Sequence, residues 1–357
     1  MPDGPLEPMR PDTGVRGPVP PSSRIWRCAP SRSTPAFVSD HLDLQISRPA
    51  LRPHSEAGGT IHDMPRIKAN GIEIEHETFG DEAAAPLLLI GGLGSQLISW
   101  DEEFCEQIRN RGFRVIRYDN RDAGLSTKME SAGEPDLMAA FAGNANSAYK
   151  LDDLADDAVG LLDGLGIGAA HVVGVSMGGF IAQLVAINHP DRVLSLTSIM
   201  SGPGWADGVP PEPEGADVLM RIPPPTREGR IEHGVWIRRT LKGPGDPFDE
   251  ALETEQVERA YDRSYYPVGT GRQLVAILAA ESRLENLGRL KVPTLVIHGT
   301  DDVLVPVENG RRVAKAVHGA RLLEFGQMGH NLPKRVWPQV LDAIEELARQ
   351  APIPQPR

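Results

Sequence analysis

The chain has 357 residues, 40% of them hydrophobic, and 37 Lys and Arg against 49 Asp and Glu give a formal net charge of -12. That length buries a sizeable core, while the acidic balance weighs against nucleic acid or an anionic membrane as partner, since both select a cationic face. Cys28 and Cys105 are too few for a disulfide framework or a thiolate zinc site.

Residues 1–63 hold eleven prolines and seven arginines, with no apolar core run and no secretory signal. Proline at that density removes helix and ladder hydrogen bonds, and so little apolar surface does not offset ordering entropy. The segment is expected to be a disordered or non-structural extension, and the protein to be cytoplasmic. Met64 opens a stretch that reads as the start of a folded chain.

From there short apolar strands alternate with helical patterns, the mark of an α/β protein with a mostly parallel sheet and helices on both faces. Ile72 to Thr78 alternates like a half-buried strand after a turn at Gly71. Pro86 to Ile90 is a continuous apolar run, as a central strand buried on both faces requires. Trp100 to Asn110 reads as a helix, Phe113 to Tyr118 as a strand and Leu151 to Leu165 as an amphipathic helix. His171 to Val175 is a strand, Gly178 to Asn188 a helix and Val193 to Met200 another strand.

The rhythm stops at Ser201. Residues 202–287 show Pro-rich loops and amphipathic helices without a convincing strand, and are expected to be a helical lid inserted between two parts of the core, 64–201 and 288–350. The alternation resumes with a strand from Val292, a helix over Val307 to Val317, a strand over Arg321 to Phe325 and a helix over Val336 to Arg349, before a tail at 351–357. Gly164 to Pro190 contains no charged residue, yet six glycines, two histidines, Gln183 and Asn188 argue for a strand and buried helix, so no membrane span is expected.

The strongest local signal is Gly174-Val175-Ser176-Met177-Gly178, lying between a strand and a helix. G-x-S-x-G forms a strained turn that lifts the serine hydroxyl into a cleft, with the amide of the next residue, Met177, facing a developing oxyanion. Chance alone would produce the pattern in about one chain in five of this composition. Its strand–turn–helix context is what gives it weight.

A serine needs a base, and the base an orienting carboxylate, in the chain order Ser, acid, His. His330 lies in a glycine-rich loop past the last strand; His189, His298 and His318 read as structural, and His233 belongs to the lid. Asp301 and Asp302 both follow the penultimate strand, spacing does not choose between them, and Asp207 is a distant third. Gly91-Gly92-Leu93-Gly94-Ser95 supplies a turn whose backbone can approach a ligand, and lacks both phosphate-cradling patterns.

From Met64 to about Arg349 these features resemble the α/β-hydrolase superfamily of serine hydrolases, including the Tyr118 to Ser126 loop. The resemblance implies an α/β-hydrolase fold. Its Gly-x-x-Asp-x-x-x-Pro spacing, matched by Gly299, Asp302 and Pro306, selects Asp302 as the acid of a Ser176–Asp302–His330 triad. It also implies Leu93 and Met177 as oxyanion donors, with Gly92, Trp100 and Trp236 on the substrate wall. The chain is most similar to the esterases that include aclacinomycin methylesterase, through Ile90-Gly-Gly, Arg117-Tyr-Asp, Ser176-Met-Gly and Gly329-His-Asn-Leu-Pro333. Gly91 departs from the histidine most members carry there.

The implied activity is hydrolysis of a small-to-medium hydrophobic carboxylic ester through an acyl-enzyme, with no cofactor and no metal. Lactone, thioester, carbon–carbon bond and peroxide-dependent chemistry are alternatives on the same triad. A ligand receptor of this fold with little turnover is the alternative from another class. The expected partner is a small-molecule ester; neither nucleic acid nor a membrane is expected, and oligomeric state is unread.

Overall fold

The computed structural model describes residues 66–351; the expectations for 1–63 and for residues 352–357 of the tail lie outside the described residues. Asn70 and Gly71, both at positive φ, turn the chain between β1 (Ile67–Ala69) and β2 (Ile72–Ile74), which pair antiparallel as a separate ribbon. The single strand expected over 72–78 is therefore two strands. It breaks at buried Glu75, whose N–H donates to Ser126 Oγ and whose carbonyl accepts from Asp119 N–H, so its backbone pairs with a loop.

β3 (His76–Phe79) then enters a seven-stranded sheet with β4 (Ala85–Ile90), β5 (Phe113–Tyr118), β6 (Ala170–Val175), β7 (Val193–Ile199), β8 (Thr294–Gly299) and β9 (Arg321–Phe325). The strand order is β3-β5-β4-β6-β7-β8-β9, antiparallel at β3 and parallel elsewhere. β4 lies between β5 and β6, so the connections leave it in opposite directions and open a crevice at the strand C-termini.

Strand side chains alternate between two buried layers. Leu88, Ile90, Ile116 and Val172 pack on one side with α3 (Leu151–Gly164) and α4 (Met177–Asn188). Leu87, Leu89, Val115 and Val173 pack on the other with α1 (Glu102–Arg109) and α11 (Trp337–Arg349). Each such aliphatic side chain contributes about 1.5–3 kcal/mol on burial. α1 begins two residues later than the periodicity predicts, because the Asp101 carboxylate accepts the Glu103 N–H at 2.8 Å and caps the helix there. A short α2 (Leu137–Phe141), capped by Asp136, was not foreseen. α10 (Glu308–Ala316) lies between β8 and β9. Among the described residues no helix is long and apolar enough to cross a membrane.

Between β7 and β8 come α5 (Pro213–Met220), α6 (Arg227–Leu241), α7 (Glu250–Arg263), α8 (Pro267–Ala279) and α9 (Leu284–Leu287). These helices are not equivalent. α7 buries none of its residues, whereas α8 buries its run from Gly271 to Ile277. Within that run Arg272 makes two 2.8 Å hydrogen bonds to the Asp122 carboxylate, to which the Tyr149 hydroxyl also donates at 2.8 Å. Thus α8 is fastened to the loop after β5 and belongs with the core. Asp122→Ala leaves a buried guanidinium without its carboxylate and a buried phenol without its acceptor; a loss of about 3–5 kcal/mol in denaturant unfolding is expected.

Candidate active site

The site begins where β6 turns into α4. Ser176 sits at φ 56°, a left-handed conformation that costs a residue with a side chain on the order of 1–3 kcal/mol. The turn is tight enough that only glycine fits beside it. A Cβ at Gly174 would lie 2.0 Å from the Gly178 carbonyl oxygen, and one at Gly178 would lie 2.1 Å from the Ile90 carbonyl oxygen. The serine is thereby carried to the crevice between β4 and β6.

The loop after β4 meets it there. A Cβ built on Gly92 would be 3.3 Å from Ser176 Cβ, tighter than ordinary van der Waals contact, so the loop passes close to the serine. Leu93, Ser176 and Met177 all border one cavity. Among the described residues neither the Leu93 nor the Met177 N–H is taken by a protein acceptor. The Met177 amide is one of the donors a helix start leaves unsatisfied, at the positive end of the α4 dipole.

The acid and imidazole come from the loops after β8 and β9. His330 Nδ1–H donates to Asp302 Oδ2 at 2.6 Å, and the tautomer that bond requires leaves Nε2 as the proton acceptor. Asp302 is held by the Leu304 and Val305 N–H groups at 2.9 and 2.8 Å. Burial alone would raise its pKa; the His330 imidazole bonded to it, with the His298 ring close by, outweighs this and holds the carboxyl at about 2. Asp301 is exposed and its carboxylate caps the Gln327 N–H at 2.9 Å, so of the two aspartates it is Asp302 that faces His330. The Asp207 carbonyl accepts from Arg312, and among the described residues its carboxylate makes no hydrogen bond to His330. His298 is buried and donates Nε2–H to the Val305 carbonyl at 2.7 Å, with its ring 3.5 Å from Asp302. His189 pairs with Asp156 at 2.7 Å.

The imidazole is positioned by its own backbone, since His330 N–H donates to the Leu241 carbonyl at 2.7 Å at the end of α6. No hydrogen bond joins Ser176 Oγ to His330 among the described residues. Such bonds are often long in a site without substrate and tighten when one binds. Gly92 approaches Ser176 closely and also borders the cavity that His330 lines.

Two cavities flank the site. The one at Ser176 holds about 220 Å³ and is walled by Phe180, Trp205, Pro210, Leu219, Leu274 and Ile277, with no charged side chain in its lining. Its one side-chain amide, Asn309, is occupied by the Val209 N–H and carbonyl at 2.7 and 2.9 Å. The one at His330 holds about 160 Å³ and includes Gly92, Ser95, Trp100, Phe104 and Trp337. Trp236, expected on the substrate wall, borders neither. It is packed between the Arg221 guanidinium and the His233 ring, because α6 turns that face toward α5. Phe180, Trp205 and Asn309 carried no sequence signal, since they come together only through the fold.

A mostly parallel sheet, a strained serine between β6 and α4, and an acid–imidazole pair after β8 and β9 define the class of α/β hydrolases. Comparison with known proteins agrees: a family model for the alpha/beta hydrolase fold matches residues 85–226. Rhodomycin D methylesterase DnrP of Streptomyces peucetius is 33% identical over 307 residues, covering 80% of this chain and 98% of that protein. The 2-hydroxymuconate semialdehyde hydrolase of Pseudomonas sp. strain CF600 is 30% identical over 294 residues, covering 80% and 90%. Among solved structures, the enol-lactonase of Burkholderia xenovorans LB400 superposes with a TM-score of 0.63 at 22% identity, covering 80% of this chain and all of that one. The chain belongs to the α/β-hydrolase family.

The Asp302 geometry carries a pH signature. Its pKa falls from an ordinary 3.8 to about 2 on folding, so the unfolded chain binds the proton more tightly. The resulting stabilisation, on the order of 2 kcal/mol, is complete above pH 4–5 and is lost as pH falls toward 2. The stability difference between the native chain and Asp302→Asn should therefore shrink by about that amount between pH 5 and pH 2, read by urea unfolding at each pH.

Proposed function

We propose that the protein is a serine hydrolase of neutral carboxylic esters, taking a bulky apolar acid and a small alcohol. The observation that carries this reading is the uncharged cavity of about 220 Å³ that opens onto Ser176 beside two unclaimed backbone amides. A charged acyl group would lose its hydration there without a partner, whereas an aliphatic or aromatic one gains by burial. The identity with a rhodomycin D methylesterase, over nearly all of that protein, supports ester chemistry with a small leaving alcohol.

In this scheme His330 Nε2 accepts the Ser176 proton as Oγ attacks the ester carbonyl. Asp302 keeps the imidazole in register and stabilises its cation. Leu93 and Met177 N–H groups donate to the oxyanion, where preorganised donors act most strongly because their orientation is settled before the reaction. Collapse expels the alkoxide, which takes the proton from His330; the alcohol therefore leaves on the imidazole side, where the smaller cavity of about 160 Å³ lies. Water then enters on the same side, is deprotonated by His330 and releases the acid. The steps call for no metal or organic cofactor.

The helical segment 202–287 acts in this reading as a cover of two parts: the loop before α5 and α5 itself supply Trp205, Pro210 and Leu219 to one wall, while α8 contributes Leu274 and Ile277 from the core side.

Ser176→Ala should lower turnover of a nitrophenyl ester on the order of 10⁴-fold or more, with the variant still folded by circular dichroism. Undiminished hydrolysis by that variant would reject the mechanism. Ile277→Trp, which fills the acyl cavity, should cut kcat/KM for methyl 2-naphthoate about tenfold or more while leaving methyl acetate nearly unchanged.

A further inference from the structure

The loop after β4 carries Leu93, and Gly91 offers no side chain with which to hold it. What holds its apex comes from α8. Gln273, fully buried, accepts the Gly94 N–H through Oε1 at 2.8 Å and donates through Nε2 to the Arg121 carbonyl at 2.7 Å. The orientation of its amide is unambiguous, since a backbone N–H only donates and a carbonyl only accepts. One helical turn earlier Thr270 closes the other side: a Cβ at Gly94, which has φ +64°, would fall 2.7 Å from Thr270 Oγ1. The apex is pressed against a single face of α8.

The far end of this bridge is stiff. Arg121 is clamped to the buried Asp157 carboxylate at 2.6 and 2.7 Å, and the neighbouring Arg272 to Asp122. A second glutamine ties the end of the loop: Gln96 Nε2 donates to the Ala260 and Ser264 carbonyls at 2.6 and 2.9 Å. Gln96 acts three residues beyond Leu93, whereas Gln273 grips the peptide that directly follows it. A carboxamide buried in mid-helix costs stability unless both its ends are paired, and here both are.

We propose that Gln273 is a positioning residue for the oxyanion donor: by bridging Gly94 N–H to the Arg121 carbonyl it fixes the backbone at Leu93 so that its amide faces Ser176. This rests on the serine-esterase reading above. An oxyanion donor works by being aimed beforehand, and small misplacements cost large factors in rate. The consequence is a division of labour in α8, with Leu274 and Ile277 shaping the acyl cavity and Gln273 holding the catalytic backbone.

The test compares Gln273→Met, which keeps length but removes both hydrogen bonds, with Gln273→Glu, which keeps the acceptor for Gly94. Gln273→Met should lose roughly 10–100-fold in kcat on a nitrophenyl ester with KM changed less than about threefold, and Gln273→Glu should recover part of the loss. Affinity for a trifluoromethyl ketone, whose adduct bears an oxyanion, should fall in parallel with kcat. Amide hydrogen exchange across residues 91–97 should accelerate in Gln273→Met. A folded Gln273→Met with kcat within twofold of the native enzyme, or a loss confined to KM, overturns the proposal. If Gln273→Met does not fold, Gln273→Glu decides: unchanged kcat and unchanged exchange at 91–97 overturn it. The native chain and Ser176→Ala are assayed alongside. An inactive native chain or an active Ser176→Ala defeats the esterase reading, while the exchange measurement still reports whether Gln273 holds the loop.

Discussion

The close approach of three backbones, at the end of β4, the end of β6 and the start of α4, is the constraint on which this molecule's arrangement depends. Gly174 and Gly178 have no room for a side chain, because each would meet a main-chain carbonyl at about 2 Å. That approach forces Ser176 to positive φ and points its hydroxyl away from the sheet. It also starts α4 so that the first free amide of the helix lies beside the serine. The strain is sustained by what surrounds it: Ser176 N–H donates to the Ile199 carbonyl, and α4 is packed along its length against the core. A strained residue persists only where its neighbours overdetermine it.

Around that turn the remaining groups are held by different physical means. The acid is held by backbone amides and by two histidines, so a buried carboxylate that burial would neutralise stays ionised. The imidazole is held by its backbone bond to the end of α6. The loop after β4 is held by side chains from the helical insertion. Part of the insertion is therefore bonded directly to the loops around Ser176 and His330, and its contribution differs helix by helix. α7 reaches the core through Arg263, which donates to Asp119 at 2.9 Å and to Gln96 at 2.7 Å. α8, with its paired Arg272 and Gln273, is continuous with the buried interior.

Much of this was legible in the chain because local chemistry and long-range order coincide there. The apolar run at 86–90 has to be a doubly buried strand, and the glycines around Ser176 have to make a sharp turn. His330 stood out because its glycine-rich loop follows the last strand. Position after the penultimate strand does not separate the aspartate pair, and it is the spacing shared with the resembled family that points to Asp302. What distinguishes Asp301 from Asp302 is that one carboxylate turns outward to cap the Gln327 amide while its neighbour turns inward to His330. Strand 72–78 was read as one element because alternation is blind to the hydrogen bonds that pull Glu75 out of the sheet. Trp236 illustrates the opposite error: a large apolar residue in an inserted helix suggests a substrate wall, but an adjacent guanidinium covers its ring.

The sequence by itself determined most of the strands and the sharp turn at Ser176, because each is written in a periodicity or in a turn that only glycine permits. Tertiary structure alone decided which insertion helix joins the core, and that Gln273 meets a loop 179 residues away. Hydrophobic patterning is a property of neighbours in the chain. The pairing of one buried carboxamide with one backbone N–H is a property of neighbours in space, and no local pattern encodes it.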